Sequence, residues 1–236
     1  MKHLFYVPAL LLVLMSCKED KPETNTHIIG SIEGFSAGTV YLQKMNDTIM
    51  QTIDSVKMMG DSKFQFDFDL ESPELVYLTI DRGVTKSVDN SLPIFAEQGT
   101  INVNTDLDYF YANAKVSGSE NHALFEQFQK VNTKFKSELL QISKEKFDAI
   151  RFKRLQDVDS IENKYNQKLK RKYLYAINFA LVHKSHEVAP YIALSELSNA
   201  NIKYLDTIQK SVTPKVAQSK YGKLLSTFVE ELKKEN

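Results

Sequence analysis

Only one cysteine, Cys17, stands in the 236 residues. An intramolecular disulfide is therefore impossible, and thiol chemistry of the C-x-x-C kind has no second sulfur to use. Charge of one sign is also missing, since 30 Lys and Arg balance 30 Asp and Glu. A nucleic-acid partner would want a basic face, so near-neutrality argues against one. Glycine and proline are few, 8 and 6, and no low-complexity tract occurs beyond one short polar stretch near the start. No Walker sequence and no G-x-G-x-x-G loop is present. The apolar run from Leu4 to Met15 is about a dozen residues long, well short of the roughly 20 that a helix needs to cross a bilayer.

What is present begins with the setting of Cys17. Lys2 and His3 precede the apolar run, and Leu14-Met15-Ser16-Cys17 closes it. A short apolar run after a basic start fits the central region of a secretory signal peptide. Its end resembles the bacterial lipobox, in which the cysteine is acylated and becomes the new N-terminus; Met15 stands where a smaller residue is usual. One acyl chain gives only marginal, reversible membrane binding, and a triacylated Cys17 would exceed that limit. Residues 1–16 are thus expected to be a lipoprotein signal peptide and residues 17–26 a lipidated tether. Removing Lys2 with the leader leaves 29 basic against 30 acidic residues. Lys18, Glu19 and Asp20 come next. They resemble the surface-export signal of some Gram-negative lipoproteins, or they are simply part of a solvated polar tether that includes Pro22. The expected location is the cell envelope, lipid-anchored at the outer membrane, with display on its outer face on the export reading.

Beyond the tether the hydrophobic period changes once. Lys63 to Leu70 alternates throughout, with Phe64, Phe66, Phe68 and Leu70 on one face and Gln65, Asp67 and Asp69 on the other. That is the pattern of a half-buried strand in an antiparallel sheet. Seven further strands are expected at 27–35, 39–45, 48–58, 75–82, 93–97, 101–106 and 114–117, separated by turn residues such as Gly60-Asp61-Ser62. Short strands at this spacing predict a sandwich or a partly open barrel. From Glu120 the period becomes helical, with Leu124, Phe128, Val131 and Phe135 recurring at steps of three and four. Ser117-Gly-Ser-Glu120 matches a capping box. A second, highly charged helix is expected from about Lys144 to His183, with Val158, Ile161, Tyr165, Leu169 and Tyr173 on one stripe, forming a hairpin with its predecessor. The expected fold class is α+β: an antiparallel β-sandwich-like or barrel-like domain over residues 27–118, then an all-α region over residues 119–236.

Few side chains group into chemistry. His183 and His186, three apart and followed by Glu187, could share a zinc on a helix, but no third or fourth ligand stands nearby. Asp106, Asp108, Tyr109, Phe110 and Tyr111 place two acids beside three aromatics, a combination that can stack on and hydrogen-bond a sugar. The simpler reading is a strand end, with Phe110 and one tyrosine turned inward and the acids in water. An EF-hand is ruled out, because Ser117 stands where the twelfth-position glutamate belongs. Asp67 and Asp69 face outward on their strand, and Glu97 sits at a strand end. Two carboxylates can run glycoside hydrolysis, but only at a defined separation.

The stretches 28–45 ("IIGSIEGFSAGTVYLQKM"), 54–81, 92–103 and 114–128 resemble a lipoprotein domain of unknown function. In many envelope thiol-disulfide oxidoreductases and peroxiredoxin-like proteins that domain precedes a thioredoxin-like module. The resemblance continues through 183–197 ("HKSHEVAPYIALSEL") and 219–234. It implies the fold and an accessory role; no catalytic residue is carried over, and the chain ends where the redox module would follow. The expected function is a non-enzymatic envelope accessory, scaffold or binding domain, with no cofactor and no metal. Its partners are the membrane through the lipid anchor and an envelope protein or glycan. Two alternatives stay open: an accessory of a separate thioredoxin-like oxidoreductase, and a carbohydrate-binding protein or hydrolase using surface carboxylates.

Overall fold

The computed structural model describes residues 24–46, 48–81, 83 and 88–235. Cys17, Lys18, Glu19 and Asp20 lie outside the described residues. Eight strands come first: β1 (Thr26–Glu33), β2 (Ala37–Asn46), β3 (Ile49–Met59), β4 (Lys63–Phe68), β5 (Glu74–Asp81), β6 (Ser91–Ala96), β7 (Gly99–Asp106) and β8 (Lys115–Ser117). They form two four-stranded sheets, in the orders β4-β1-β7-β8 and β3-β2-β5-β6. The expected α+β layout is present, with all eight expected strands. In β4 the alternation maps directly onto burial: Phe64, Phe66 and Phe68 enter the core between the sheets, as does Leu70 just beyond, while Gln65, Asp67 and Asp69 face solvent.

Two features go beyond that pattern. The β1–β7 pairing is parallel, with Ile28 opposite Ile101 and Gly30 opposite Val103, whereas the other pairings are antiparallel. Gly30 is required there, since a Cβ would come within 1.8 Å of the Val103 carbonyl oxygen. Strands β5 and β6 are covered on both faces. Val76, Leu78, Ile80, Leu92 and Ile94 point into the sandwich, and Leu75 and Phe95 point out of it into a second, helical core. Strands buried on both sides read as continuous apolar runs rather than alternations, which accounts for "LVYLTI" and "LPIFA".

Six helices follow: α1 (Glu120–Arg151), α2 (Val158–Val182), α3 (Val188–Glu196), α4 (Ile202–Ser211), α5 (Pro214–Ala217) and α6 (Lys220–Glu235). Two expectations about them need correction. The N-cap of α1 is Ser119, whose hydroxyl accepts from the His122 amide, and Ser117 belongs to β8. The hydroxyl of Ser119 also donates to the Phe95 carbonyl at 2.7 Å, so tertiary bonding with β6 moves the cap two residues along. The second helix begins at Val158 rather than near Lys144. No glycine or proline interrupts residues 120–151, and α1 runs unbroken until Lys153 adopts a left-handed backbone at φ 58°.

The hairpin between α1 and α2 is as expected. Ile142, Ala149 and Ile161 pack at its far end with Val158 and Tyr165, and Lys164–Glu145 and Lys168–Glu138 pair across it at 2.8 and 2.6 Å. These exposed pairs are worth little each; the apolar seam holds the hairpin. Where α1, α2 and α3 meet, Glu196 is nearly buried and accepts from Asn132, Lys136 and Lys172 at 2.8 to 2.9 Å. Burial works against its charge, but the hydrogen bonds from Lys172 and Lys136 outweigh it and hold the carboxyl below its ordinary value.

The helical region is joined to the sandwich by aromatic rings. Phe95 of β6 lies 5.6 Å from Tyr191 of α3 and 5.7 Å from Tyr221 of α6, centroid to centroid, and Tyr191 and Tyr221 meet edge to face at 5.1 Å. The Tyr221 hydroxyl also accepts from the Leu75 amide. Each such aromatic pair adds about 0.5–1.5 kcal/mol beyond its area burial. No helix among the described residues is long and apolar enough to cross a membrane.

Candidate functional site

Three acids and a histidine from distant parts of the chain meet where the sandwich joins the helices. Glu97 follows β6, Glu120 opens α1, and His186 and Glu187 lie in the turn between α2 and α3. They line an open cavity of about 600 Å³ together with Glu71, Lys215 and others. Among its lining residues is Asn121, only 3 % exposed. Its amide nitrogen donates to Glu97 Oε2 at 2.9 Å and to Glu187 Oε2 at 3.1 Å. Its carbonyl oxygen accepts from the Val188 amide at 2.9 Å. Glu97 also accepts from the backbone amides of Glu120 at 2.7 Å and Asn121 at 3.3 Å.

The chemistry of this arrangement is that of a clasp. The first amides of a helix lack intrahelical partners and carry partial positive charge, so a carboxylate is favoured there. Glu97 meets that need from outside the helix and so ties the β6–β7 turn to α1. Asn121 extends the tie to Glu187 and to the first amide of α3. Both Glu97 oxygens are thereby engaged with the protein itself. At the rim, His186 Nε2 reaches Glu120 Oε1 at 3.2 Å.

The other candidates stay apart from this junction. The His183 ring packs at a tilt against Phe179, 4.3 Å between centroids, and lies 6.4 Å from the His186 ring. Burial, and then the neighbouring His186, hold its pKa below the ordinary value. The two histidines stand in the turn between α2 and α3 rather than on a helix face, and among the described residues no group of three or more His, Cys, Asp or Glu is placed to hold a metal ion. Asp67 pairs with His27 at 2.7 Å on the open face of the sandwich, and Asp69 accepts from the Asn25 amide. Asp106 accepts from Asn113 Nδ2 at 2.6 Å and the Tyr109 amide at 2.7 Å; these bonds, the first above all, lower its pKa. Phe110 is buried as expected, but Tyr109 and Tyr111 are both exposed, so neither tyrosine turns inward. Phe110 enters the core beneath the loop with Leu107 and Ala114 packed beside it, and its carbonyl is held by Thr105 Oγ1 at 2.7 Å.

Sequence reasoning missed two features. Asn121 carries no local signature, because its partners lie 24 and 66 residues away in the chain. Gly34-Phe35-Ser36-Ala37-Gly38 matches G-x-S-x-G letter for letter. A nucleophile elbow needs a strand-to-helix turn, and this segment joins β1 to β2 with Phe35 in the core and the Ser36 carbonyl accepting from Gly60. Its serine is part of a strand connection.

No curated protein and no solved structure matches the chain. Among the described residues the strands form two four-stranded sheets, with no thioredoxin-like module. A family profile matches residues 26–125, a span that takes in all eight strands and the start of α1, while the similar stretches at 183–197 and 219–234 lie beyond it. Over residues 26–125, the chain is similar to the family described as a domain of unknown function (DUF4369).

Proposed function

We propose that this protein is a non-enzymatic lipoprotein of the cell envelope, held to a membrane through acylated Cys17 and acting there as an accessory, scaffold or binding domain. The observation that carries the reading is the setting of its single cysteine, behind Leu14-Met15-Ser16 and ahead of a polar stretch. Strand β1 begins at Thr26. Residues 17–25 can reach at most about 30 Å, so the sandwich would stand close to the membrane surface. The clasp supports a binding or scaffolding role over hydrolysis, because Glu97 and Glu187 are engaged in joining the sandwich to the helices. Metabolic labelling with a palmitate analogue tests the anchor. The wild type should be marked and Cys17→Ala should not; equal labelling of both would end the lipoprotein reading.

A further inference from the structure

A second cavity, of about 510 Å³, opens between β6, the loop before β8 and the outer face of α1. Its size lies within the range of about 300–1,000 Å³ that small-molecule sites occupy. In its wall is His122, whose side chain is exposed to only 3 %. The Phe95 amide donates to His122 Nδ1 at 3.1 Å, so that nitrogen bears no hydrogen and the neutral ring carries its proton on Nε2. Burial lowers the pKa of His122, which agrees with a neutral ring. Nε2 has one polar neighbour, the half-exposed carboxylate of Glu126. The carboxylate of Glu126 stands 3.4 Å away without the alignment of a hydrogen bond. A buried N–H with a poorly aligned partner is under-satisfied, and the Glu126 side chain beside it is half exposed.

A second, better-aligned partner would have a defined chemistry. It must accept a hydrogen bond from His122 Nε2 and, beside a carboxylate, donate one to Glu126. A carbonyl oxygen only accepts and an ammonium only donates, whereas a hydroxyl does both on one atom. For it to enter, the half-exposed Glu126 side chain would turn outward. Around this point the cavity offers an exposed ring, Tyr111, beside Pro93, and along α1 the polar side chains of Gln129 and Lys130. An aromatic face beside mixed donors and acceptors matches a sugar ring, which has an apolar C–H face and a rim of hydroxyls. Lys130 and Glu126 leave the wall close to neutral, which favours an uncharged ligand over a phosphate.

We propose that this cavity is a binding site for a neutral saccharide, with Tyr111 as the stacking platform and His122 and Glu126 sharing one ligand hydroxyl. The proposal deepens the binding role suggested above and rests on it only for its location in the envelope. The test titrates the full chain, purified in a detergent without a sugar head group, with glucose, mannose, N-acetylglucosamine and maltose, and follows the His122 imidazole resonances by NMR. At least one sugar should shift them with a dissociation constant in the millimolar range. Tyr111→Ala, a change at an exposed ring, should weaken that binding by about tenfold with an unaltered unfolding curve. Unshifted His122 resonances with all four sugars at about 50 mM would overturn the proposal and leave Glu126 as the partner of Nε2. So would binding that Tyr111→Ala leaves intact. Palmitate labelling of Cys17 is independent of either result, so failure of the sugar site and failure of the anchor are separately visible.

Discussion

Replacing Asn121 by alanine should loosen the join between sandwich and helices more than any single surface change. The substitution removes two bonds to carboxylates and the acceptor for the buried Val188 amide. A bond to a charged group contributes about 1.5–3 kcal/mol and a buried donor left unpaired costs about 1–3 kcal/mol, together about 4–9 kcal/mol. The open cavity beside the clasp lets water take over part of the carboxylate bonding, which brings the expected loss to about 3–4 kcal/mol. Asn121→Asp is the sharper probe. It keeps the shape and the acceptor for Val188, but sets a third carboxylate between Glu97 and Glu187 where a donor had been. Like charges at that distance raise a carboxyl pKa. The aspartate variant should therefore be no more stable than the alanine variant at neutral pH and regain stability relative to it as pH falls. Urea unfolding followed by far-ultraviolet circular dichroism measures both. A loss below about 1 kcal/mol for Asn121→Ala, or an aspartate variant as stable as the wild type at neutral pH, would refute the clasp.

Other consequences are as direct. The carboxyl of Glu196 is held below its ordinary 4.5, so its contribution is present above that pH and is lost as pH falls through the lower folded value. Acid unfolding should flatten in Glu196→Gln, and the same variant should lose about 3–5 kcal/mol at neutral pH because Lys172 is left nearly buried without its partner; an unchanged acid limb would contradict this. Gly30→Ala should cost about 3 kcal/mol or more, since the new methyl meets the Val103 carbonyl, and a soluble variant with wild-type stability would show that β1 and β7 separate easily. Alanine at Lys18, Glu19 and Asp20 together should leave lipidation intact and abolish protease accessibility on whole cells. If the wild type is itself shielded, the cluster is only a tether.

Much of the β half was legible because each strand's burial is written locally. Phe64, Phe66 and Phe68 alternate with Gln65 and Asp67, and that alone places one face in a core. The parallel neighbour of β1 was not legible, since all four strands of the other sheet lie between Ile28 and Ile101 in the chain. Of the expected stripe in α1, Phe128 is buried but Leu124, Val131 and Phe135 only partly so, while Asn121, His122, Phe125 and Asn132 are buried too. Polar residues on a buried face defeat a hydrophobic periodicity, and here they are the ones that hold Glu97, Phe95 and Glu196. Glu97, His186 and Glu187 could each be singled out, but their meeting could not, because Asn121 brings the two acids together only in the folded chain. Likewise Ser117 looked like a cap until the Ser119 bond to Phe95 decided the matter.

The proposed role depends first on processing at Cys17 and on a lipid anchor there. Mass spectrometry of the N-terminal peptide, from protein isolated from its own membranes, tests it most directly. The predicted peptide begins at Cys17, lacks residues 1–16, and carries acyl groups on the sulfur-linked glyceride and on the new amino terminus. A peptide that begins at Met1, or one in which Cys17 is a free thiol, would contradict the proposed role.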